Sequence, residues 1–242
     1  MEINPYKTVA LSLAAGLAVA TAQASSVTVN NFSFEAQAVS PGGALITTPN
    51  GPTGWSGFRV GSGGNSDIGL GRPGTEYSVA NPLAAPADGN NYLWLNDFNG
   101  NGTQFTGIYQ DVGTLVANTT YTLTIAIGNR GDTPPNGQAT WSPGVISLVN
   151  GADNTGTVLA TTTGLPGSAN SWQDFTVSFT TGASVAGDLS IMMAVQDAPA
   201  IQADFDNVRL DATPVPEPST YALVLGGLTL VPLVRRKLAA VR

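Results

Sequence analysis

One pattern limits what this chain can fold into: apolar and polar residues alternate along several short segments. In YTLTIAIGNR (121–130), every second residue from Tyr121 to Ile127 is apolar, and threonines lie between the first of them. The segments DFTVSFT (174–180) and LSIMMAV (189–195) repeat this period of two. Such alternation is typical of antiparallel sheets that bury one face and leave the other polar.

Seven further segments of this kind are separated by stretches rich in Gly, Pro, Asn and Asp, which favour turns. About ten strands with no fixed repeat and no internal linker indicate one all-β domain, an antiparallel β-sandwich or jelly roll. We predict that this domain spans residues 25–212. The further candidate strands are Val27–Phe34, Gly54–Val60, Asn90–Leu95, Phe105–Asp111, Val145–Leu148, Thr157–Ala160 and Asp204–Leu210.

The composition excludes several classes of active site. The chain has no cysteine and no histidine, which removes disulfides, a thiolate nucleophile, zinc–sulfur sites and the Ser–His–Asp mechanism. Between residues 25 and 214 there are fourteen acidic residues, four arginines and no lysine, a net charge of −10. A surface this acidic repels phosphate backbones, so we expect no nucleic-acid partner.

Both ends of the chain have the composition of targeting segments. Lys7 precedes an apolar stretch, and Ala22-Gln23-Ala24 offers the small residues that signal peptidase accepts, so residues 1–24 predict a signal helix. Residues 220–234 form an apolar run ahead of a basic cluster. This run is shorter than the ~20 residues that usually span a bilayer, and it predicts a short apolar helix. The alternatives are a buried N-terminal helix and an ordinary C-terminal membrane anchor.

The last thirty residues contain three features in a fixed order: Val215-Pro216-Glu217-Pro218-Ser219, the apolar run, and Arg235-Arg236. This order resembles the PEP-CTERM sorting signal of Gram-negative bacteria, and the sorting segment would span residues 213–242. The resemblance implies cleavage by an exosortase after export, and signal peptidase would remove the leader. It further implies transient anchoring in the inner membrane and a final location at the cell surface or in the extracellular matrix.

The body also carries six segments in a recognisable order: NNFSFE (30–35), Gly54-Trp55, ADGNNYLWL (87–95), GIYQDVGTLVANTTYTLTIAIG (107–128), SWQDFTVSFT (171–180) and FDNVRL (205–210). This order resembles the galactose-binding-like jelly rolls of many carbohydrate-binding modules. The fold that the resemblance implies is a β-sandwich of two antiparallel sheets.

The jelly-roll resemblance implies one structural calcium ion between the first and last strands. Its ligands would be a carboxylate just after the opening aromatic residue and an aspartate in the final strand. The corresponding positions are Glu35 and Asp206, with Asn31 and Asp204 as weaker candidates. Backbone carbonyls could supply the remaining oxygens that calcium needs.

The position of Asp206 supports this site independently of the resemblance. Asp206 shares strand parity with Val208 and Leu210, so a regular strand would direct it inward. A lone inward carboxylate is costly unless it is paired or bound to a metal. The alternative is a bulge that turns Asp206 outward, or an ion pair with an arginine, namely Arg59, Arg130 or Arg209.

A second candidate site is an aromatic surface for sugars. Sugar rings stack on aromatic side chains, while carboxylates and amides form hydrogen bonds with the hydroxyl groups. Trp94 and Asp97 occur together in YLWLNDFNGNGTQF, and Trp141 and Tyr77 lie in polar, glycine-rich segments. We predict that these four residues contact glycan. For each aromatic ring the alternative is packing in the core.

The sequence offers little support for catalysis. Paired carboxylates can cleave glycosides without histidine, but the spacing of Asp97, Asp111, Asp132 and Asp197 brings no two of them together. No base is available to activate a Ser or Thr. We therefore predict a non-catalytic, exported protein that is stabilised by calcium and binds exopolysaccharide. The alternatives are a self-associating matrix protein without a ligand site and, less favoured, a glycoside-acting enzyme.

Overall fold

The computed structural model describes residues 22–60, 66–73, 83, 85–97, 105–131, 141–151, 154–196 and 202–216. These residues contain twelve strands, and among them there is no helix with the length and apolar character needed to cross a membrane. The strands are β1 (Ser25–Val27), β2 (Ala44–Ile46), β3 (Ser56–Val60), β4 (Ser66–Gly71), β5 (Tyr92–Asp97), β6 (Phe105–Thr114), β7 (Thr119–Asn129), β8 (Gly144–Asn150), β9 (Thr157–Gly164), β10 (Ser171–Thr180), β11 (Asp188–Gln196) and β12 (Gln202–Pro214).

The strands form two antiparallel sheets. One has seven strands in the order β10-β7-β12-β5-β4-β2, with β1 also paired to β12, and the other has five in the order β3-β6-β11-β8-β9. The predicted all-β antiparallel fold is confirmed, and its apolar faces pack as in a β-sandwich. The two predicted flanking helices fall almost entirely on residues 1–21 and 217–242, outside the described residues, as do Glu217, Pro218, Ser219, Arg235 and Arg236.

The core follows the alternation that the sequence predicts. Every second residue of β7 from Tyr121 to Ile127 is buried, and so is every second residue of β11 from Leu189 to Val195. In β10 only Val177 is buried, because β10 is an edge strand with a neighbour on one side. Burial of one face of each sheet is what holds the two layers together.

A bulge in β12 changes which of its residues face the core. Ala203 and Phe205 point into the core before the bulge, and Val208 and Leu210 after it. The pairing with β7 shifts register between Asp206 and Arg209, and Asn207 adopts a positive φ of 49°. The extra residue of a bulge shifts the alternation by one. Asp206 therefore does not share a face with Val208, as a regular strand would require.

Two short strands, β2 and β4, were missed by the sequence analysis, and β4 is rich in glycine. The glycines of β4 leave space for the aromatic residues of β5 that lie over them. A Cβ on Gly69 would lie 2.2 Å from Cζ2 of Trp94, and one on Gly71 would lie 2.6 Å from Cζ of Tyr92. Glycine in a strand often marks such a close approach.

The register brings many strand ends together at one end of the sandwich. Val60 of β3 pairs with Phe105 of β6, and Ser66 of β4 pairs with Asp97 of β5. Gln202, the first residue of β12, pairs with Asn96 in the same region. We call this the loop end, because the connections β3–β4, β5–β6, β7–β8 and β11–β12 leave from it. Loops that meet at one end of a rigid scaffold are a common place for a functional site.

Candidate active site

A buried group of polar and aromatic side chains lies at the loop end, on the outer face of the seven-stranded sheet. The register places Asp204 of β12 between Trp94 of β5 and Gly128 of β7. Residues directly opposite each other in a sheet share a face, and Phe205 occupies the core side of β12. We define the loop-end site as Trp94, Asn96, Arg130, Trp141, Gln202 and Asp204.

The polar side chains of this site form a connected chain. Gln202 Nε2 donates a hydrogen bond of 2.6 Å to Asp204 Oδ1, and Arg130 Nη1 donates one of 3.0 Å to Gln202 Oε1. The Arg130 guanidinium lies 4.4 Å from the ring centroid of Trp141, a cation–π contact. All four side chains are buried. The Gln202 amide thus links a carboxyl group to a guanidinium and fixes the orientation of both.

The backbone places Trp141 against this chain. Residues 141–143 precede β8 in the other sheet, and the Ser142 N–H donates a hydrogen bond of 3.1 Å to the carbonyl of Gln202. The start of β12 is therefore tied to the segment that carries Trp141. Arg130 directly follows β7, and Trp94 and Asn96 belong to β5, so four different segments contribute to the site.

Aromatic side chains form the other part of this face. Leu83, Tyr92 and Trp94 make a small hydrophobic cluster apart from the main core, and Trp172 packs against it. The rings of Tyr92 and Trp172 meet edge to face with centroids 5.9 Å apart. Gly128 lies beneath this cluster, because a Cβ added at this position would be 2.7 Å from Leu83 and 3.1 Å from Trp172. The face combines a carboxyl group, a cation and several aromatic rings, which suits a planar organic molecule.

The predicted sugar-contacting residues do not offer an open aromatic surface. Trp94 and Trp141 are each only 6% exposed, and Asp97 is 1% exposed. Asp97 lies on the core side of β5, where its Oδ2 accepts a hydrogen bond of 3.3 Å from the Thr106 hydroxyl. Tyr77 lies outside the described residues. The structure brings Trp94 and Trp141 to the same site, where both rings are buried.

The two predicted calcium ligands, Glu35 and Asp206, hold the same loop. Glu35 Oε1 accepts hydrogen bonds from the N–H groups of Asn90 (2.7 Å) and Asn91 (2.6 Å). Asp206 Oδ2 accepts one of 2.8 Å from the Asp88 N–H. Gly89 lies between these contacts with φ +65°, and a Cβ there would be 2.6 Å from Glu35 Oε1. The carboxylates of Glu35 and Asp206, which are far apart in sequence, therefore both hold the segment 87–91 by hydrogen bonds to its backbone.

Asp206 is fully buried, and its environment changes its acidity. Burial raises the pKa of its carboxyl from the ordinary value of 3.8 to about 7, although hydrogen bonds from the Asp88 and Asn207 N–H groups act in the opposite direction. The negative charge of Asp88 adds to the rise. The arginines suggested as partners point elsewhere: Arg209 pairs with Asp174 at 2.5 Å and Arg59 with Asp67 at 3.9 Å.

An unpaired oxygen lies beside this loop. Asn91 Nδ2 donates to the carbonyls of Phe34 and Gln37, whereas its buried Oδ1 has no hydrogen-bond partner among the residues that the structure describes. An oxygen in this state can be satisfied by a cation. Among the described residues, no three or more acidic side chains converge as a metal site. A cation here would therefore depend on amide and backbone oxygens as well as on Glu35 and Asp206.

The five-stranded sheet carries a groove of its own on its outer face. The groove has a volume of about 410 Å³ and no ionisable side chain in its lining. It offers apolar contact but no acid or base, so it supports binding rather than acid–base chemistry. Its lining residues are Phe58, Val60, Phe105, Val145, Ser147, Asn154, Val158, Thr161, Thr163, Met192 and Ala194.

Sequence reasoning did not assemble the loop-end site. It named Asp204 only as a weaker calcium candidate and Arg130 only as a partner for Asp206, and it passed over Gln202. One signal was present: Gln202 and Asp204 are two residues apart and share a strand face. The contact with Arg130 depends on the pairing of β7 with β12, which the sequence does not show.

Comparisons with known proteins concern the whole β-domain. The sequence model of one family, HpiC1-like (HpiC1 cyclase), matches residues 25–211 of this chain. Among curated proteins, no sequence matches it. The apo structure of a cyclase from Fischerella sp. is 26% identical, with a TM-score of 0.63, and covers 80% of this chain and 98% of that one.

Two structures of cyclases from Fischerella sp. TAU are each 25% identical to this chain. One has a TM-score of 0.64 and covers 81% of this chain and 100% of that one. The other was solved in complex with 4-(1H-indol-3-yl)butan-2-one, has a TM-score of 0.63 and covers 80% and 100%. Both cyclases are matched by this chain over their full length.

These matches overturn several predictions. The identification as a PEP-CTERM protein was wrong, and so were the partners that it implied: exosortase, the inner membrane and exopolysaccharide. The expected location at the cell surface or in the matrix, the carbohydrate-binding role and the non-catalytic reading were wrong as well. Those predictions relied on a short C-terminal segment and on the lack of histidine. The family match covers the whole β-domain. The loop-end site contains a carboxyl group that is oriented by an amide, and acid–base chemistry with such a group requires no histidine.

Proposed function

Because the chain belongs to the HpiC1-like cyclase family, we propose that it is an enzyme that closes a ring within a small organic substrate. The loop-end site is the proposed place of reaction. The single observation that carries this proposal is the buried Asp204 carboxyl between Trp94 and Gly128, held by the Gln202 amide. A positioned, buried carboxyl group is suited to general acid–base catalysis.

The proposed reaction begins with proton transfer from Asp204. In the proposed mechanism Asp204 carries a proton, and Gln202 Nε2 orients its carboxyl group by donating to Oδ1. Transfer of this proton to a π bond of the substrate creates a cation, and a second π bond of the same molecule attacks it to form the ring bond. Loss of a proton from the cyclised cation to the Asp204 carboxylate restores the acid. The product is an isomer of the substrate, and no redox partner is needed.

The aromatic rings of this face stabilise the cation that forms between the two proton transfers. Trp94 lies directly opposite Asp204 in the sheet, and the face of an indole ring attracts positive charge within about 6 Å. Arg130 lies on the Trp141 ring and donates a hydrogen bond to Gln202 Oε1. The Gln202 amide therefore contacts both the guanidinium and the reacting carboxyl.

The substrate class follows from the similar cyclase that was solved with an indole ketone. That ligand, 4-(1H-indol-3-yl)butan-2-one, carries a chain on C3 of the indole. We propose that this chain also takes an indole with an unsaturated chain at C3. The outer face supplies aromatic partners for such a ring in Tyr92, Trp94 and Trp172.

Isotope incorporation tests this function. Incubation of the full chain with 3-alkenylindoles in D₂O should give cyclic isomers that contain one deuterium from the acid, detected by mass spectrometry and NMR. Asp204→Asn should lower the rate by about 10²–10⁴-fold, whereas Asp188→Asn, at an exposed position, should leave it unchanged. Cyclisation at the wild-type rate by the Asp204 variant would refute the role of Asp204.

We also propose that a calcium ion binds beside the loop 87–91. Three oxygen groups fit it: the Glu35 and Asp206 carboxylates, and Asn91 Oδ1, which has no other partner. Calcium accepts such mixtures of carboxylate, amide and backbone oxygens. The ion would supply positive charge to the buried Asp206 carboxylate, and this would join the first turn of the domain to its last strand.

A further inference from the structure

Two atoms of the loop-end site lack a hydrogen-bond partner in the described structure: Trp94 Nε1 and Asn96 Oδ1. Both atoms are buried, and the Trp94 side chain as a whole is 6% exposed. The two residues are separated by one position on β5 and therefore lie on the same outer face. One atom is a donor and the other an acceptor.

Other buried tryptophans of this domain show that the donor of Trp94 is exceptional. Trp55 Nε1 donates to the Asn31 carbonyl at 3.2 Å, and Trp172 Nε1 donates to the Ala85 carbonyl at 2.6 Å. Trp55 is as deeply buried as Trp94, so burial alone does not prevent a partner. A buried donor without an acceptor costs free energy that folding must recover elsewhere.

The position of the Trp94 ring is built into the sheet. The ring lies over Gly69 of the neighbouring strand, in space that any side chain at position 69 would fill. Asn96 is set between Gln202 of β12 and Asp67 of β4, which are its neighbours in the two adjacent strands. The pair is therefore held by the central strands and not by a loop.

We propose that a bound ligand completes this pair by accepting a hydrogen bond from Trp94 Nε1 and donating one to Asn96 Oδ1. Unsatisfied buried groups in native proteins often mark the place of a missing partner. The ligand class is a planar aromatic molecule with a ring N–H and an acceptor on its side chain. An indole with a carbonyl-bearing chain is the simplest member of this class.

This assignment rests on the proposed function, because it takes the ligand to be the molecule that the cyclase transforms. Trp94 lies opposite Asp204, and Asn96 lies opposite Gln202. A ligand held by the pair therefore lies beside the acid and the amide that orients it. The pair would select substrates by their N–H, since a site built to bond a polar group rejects analogues that lack it.

The first experiment tests whether the Trp94 donor is free in the ligand-free protein. Trp94→Phe and Trp55→Phe are compared in the full chain by thermal unfolding. Both variants lose a similar ring volume, but only Trp55→Phe also breaks a hydrogen bond. The Tm of Trp94→Phe should be about 2–4 °C higher than that of Trp55→Phe. A lower Tm for Trp94→Phe would show that its N–H has a partner and would overturn the proposal.

The second experiment tests ligand selection by calorimetry. The probes are 4-(1H-indol-3-yl)butan-2-one and its benzofuran analogue, in which oxygen replaces the ring N–H at nearly the same volume. Wild type should bind the indole at least about tenfold more tightly, and Asn96→Leu should abolish this preference. Trp94→Phe should weaken binding of both probes but keep the preference for the indole.

Equal affinity of wild type for the two probes, or no binding of either, would overturn the assignment of the pair. The proposed cyclase function is tested separately by deuterium incorporation that depends on Asp204. If the protein cyclises substrates without preferring the N–H, the proposed function stands and the assignment of the pair is wrong. If it prefers the N–H but incorporates no deuterium, the assignment stands and the proposed function is wrong.

Discussion

Replacement of Asp206 by Asn is the most direct measure of what the buried carboxylate does to stability. The folded carboxyl has a pKa of about 7, raised from 3.8 by burial. Between these two values the folded state holds a proton that the unfolded state has released. Stability therefore falls as pH rises, by up to about 1.4 kcal/mol per pH unit. This applies to the calcium-free protein.

The total effect follows from the two pKa values of Asp206. The shift of roughly three units corresponds to about 4 kcal/mol of stability that is present below pH 3.8 and lost once the pH passes 7. Asp206→Asn removes this titration but leaves one acceptor for the two N–H groups of Asp88 and Asn207, which costs about 1–3 kcal/mol at any pH. The variant should be less stable than wild type at pH 4 and no less stable at pH 8.

The assay is urea unfolding of the full chain between pH 3 and 8 in the presence of a chelator. Many acidic groups titrate over this range, so the measured quantity is the difference in unfolding free energy between wild type and Asp206→Asn. This difference should change by about 4 kcal/mol across the range. The exposed Asp188→Asn serves as the control and should follow wild type. A difference between wild type and Asp206→Asn that stays constant with pH would refute the argument from burial.

Calcium should weaken this pH dependence. An ion at Asp206 binds the carboxylate and not the acid, so calcium should stabilise wild type at pH 8 far more than at pH 4. At one hundred times its Kd it would contribute about 2.7 kcal/mol at neutral pH. Asp206→Asn should show little of this gain. If calcium raises the stability of both proteins equally, the ion binds elsewhere.

Three further changes test the two sites. Gln202→Leu removes the donor to Asp204, and kcat should fall about 10–100-fold with little change in KM, measured by steady-state kinetics; an unchanged kcat would show that the carboxyl needs no amide. Gly69→Ala places a Cβ 2.2 Å from Cζ2 of Trp94, so it should cost about 1–3 kcal/mol of stability and shift tryptophan fluorescence. Glu35→Gln keeps the Oε1 acceptor for both backbone N–H groups but removes the negative charge, and it should reduce the rise of Tm on addition of calcium; an undiminished rise would exclude Glu35 as a ligand.

The fold could be predicted because its information is local. Alternation identifies β7 and β11 without reference to any partner strand, and both bury the expected faces. The predictions failed where a neighbour decides the structure. β4 was missed because its glycines are explained only by the rings of β5 that cover them. The segment after Val27 was predicted as strand up to Phe34, but it forms turns in which Asn31 and Phe34 take positive φ values.

The candidate site was less predictable, because it is formed by contacts across strands. Trp94 and Trp141 were predicted to contact glycan, but each side chain is only 6% exposed at the loop end. Glu35 and Asp206, which the jelly-roll resemblance named as calcium ligands, each accept hydrogen bonds from N–H groups of the loop 87–91. The link from Arg130 through Gln202 to Asp204 joins residues 72 positions apart in the chain, and no local pattern marks it.

The two aspartates of β12 show how neighbouring residues on one strand can take different roles. Asp204 receives a side-chain amide from Gln202, whereas Asp206 receives backbone N–H groups of Asp88 and Asn207. The side-chain donor orients the Asp204 carboxyl for the proposed proton transfer, while the backbone donors hold the Asp206 carboxyl in place. The bulge after Asp206 ends the regular pairing of β12 with β7 at that residue. The proposed function thus assigns acid–base catalysis to Asp204 and the binding of a cation to Asp206, in a domain that has no histidine for either task.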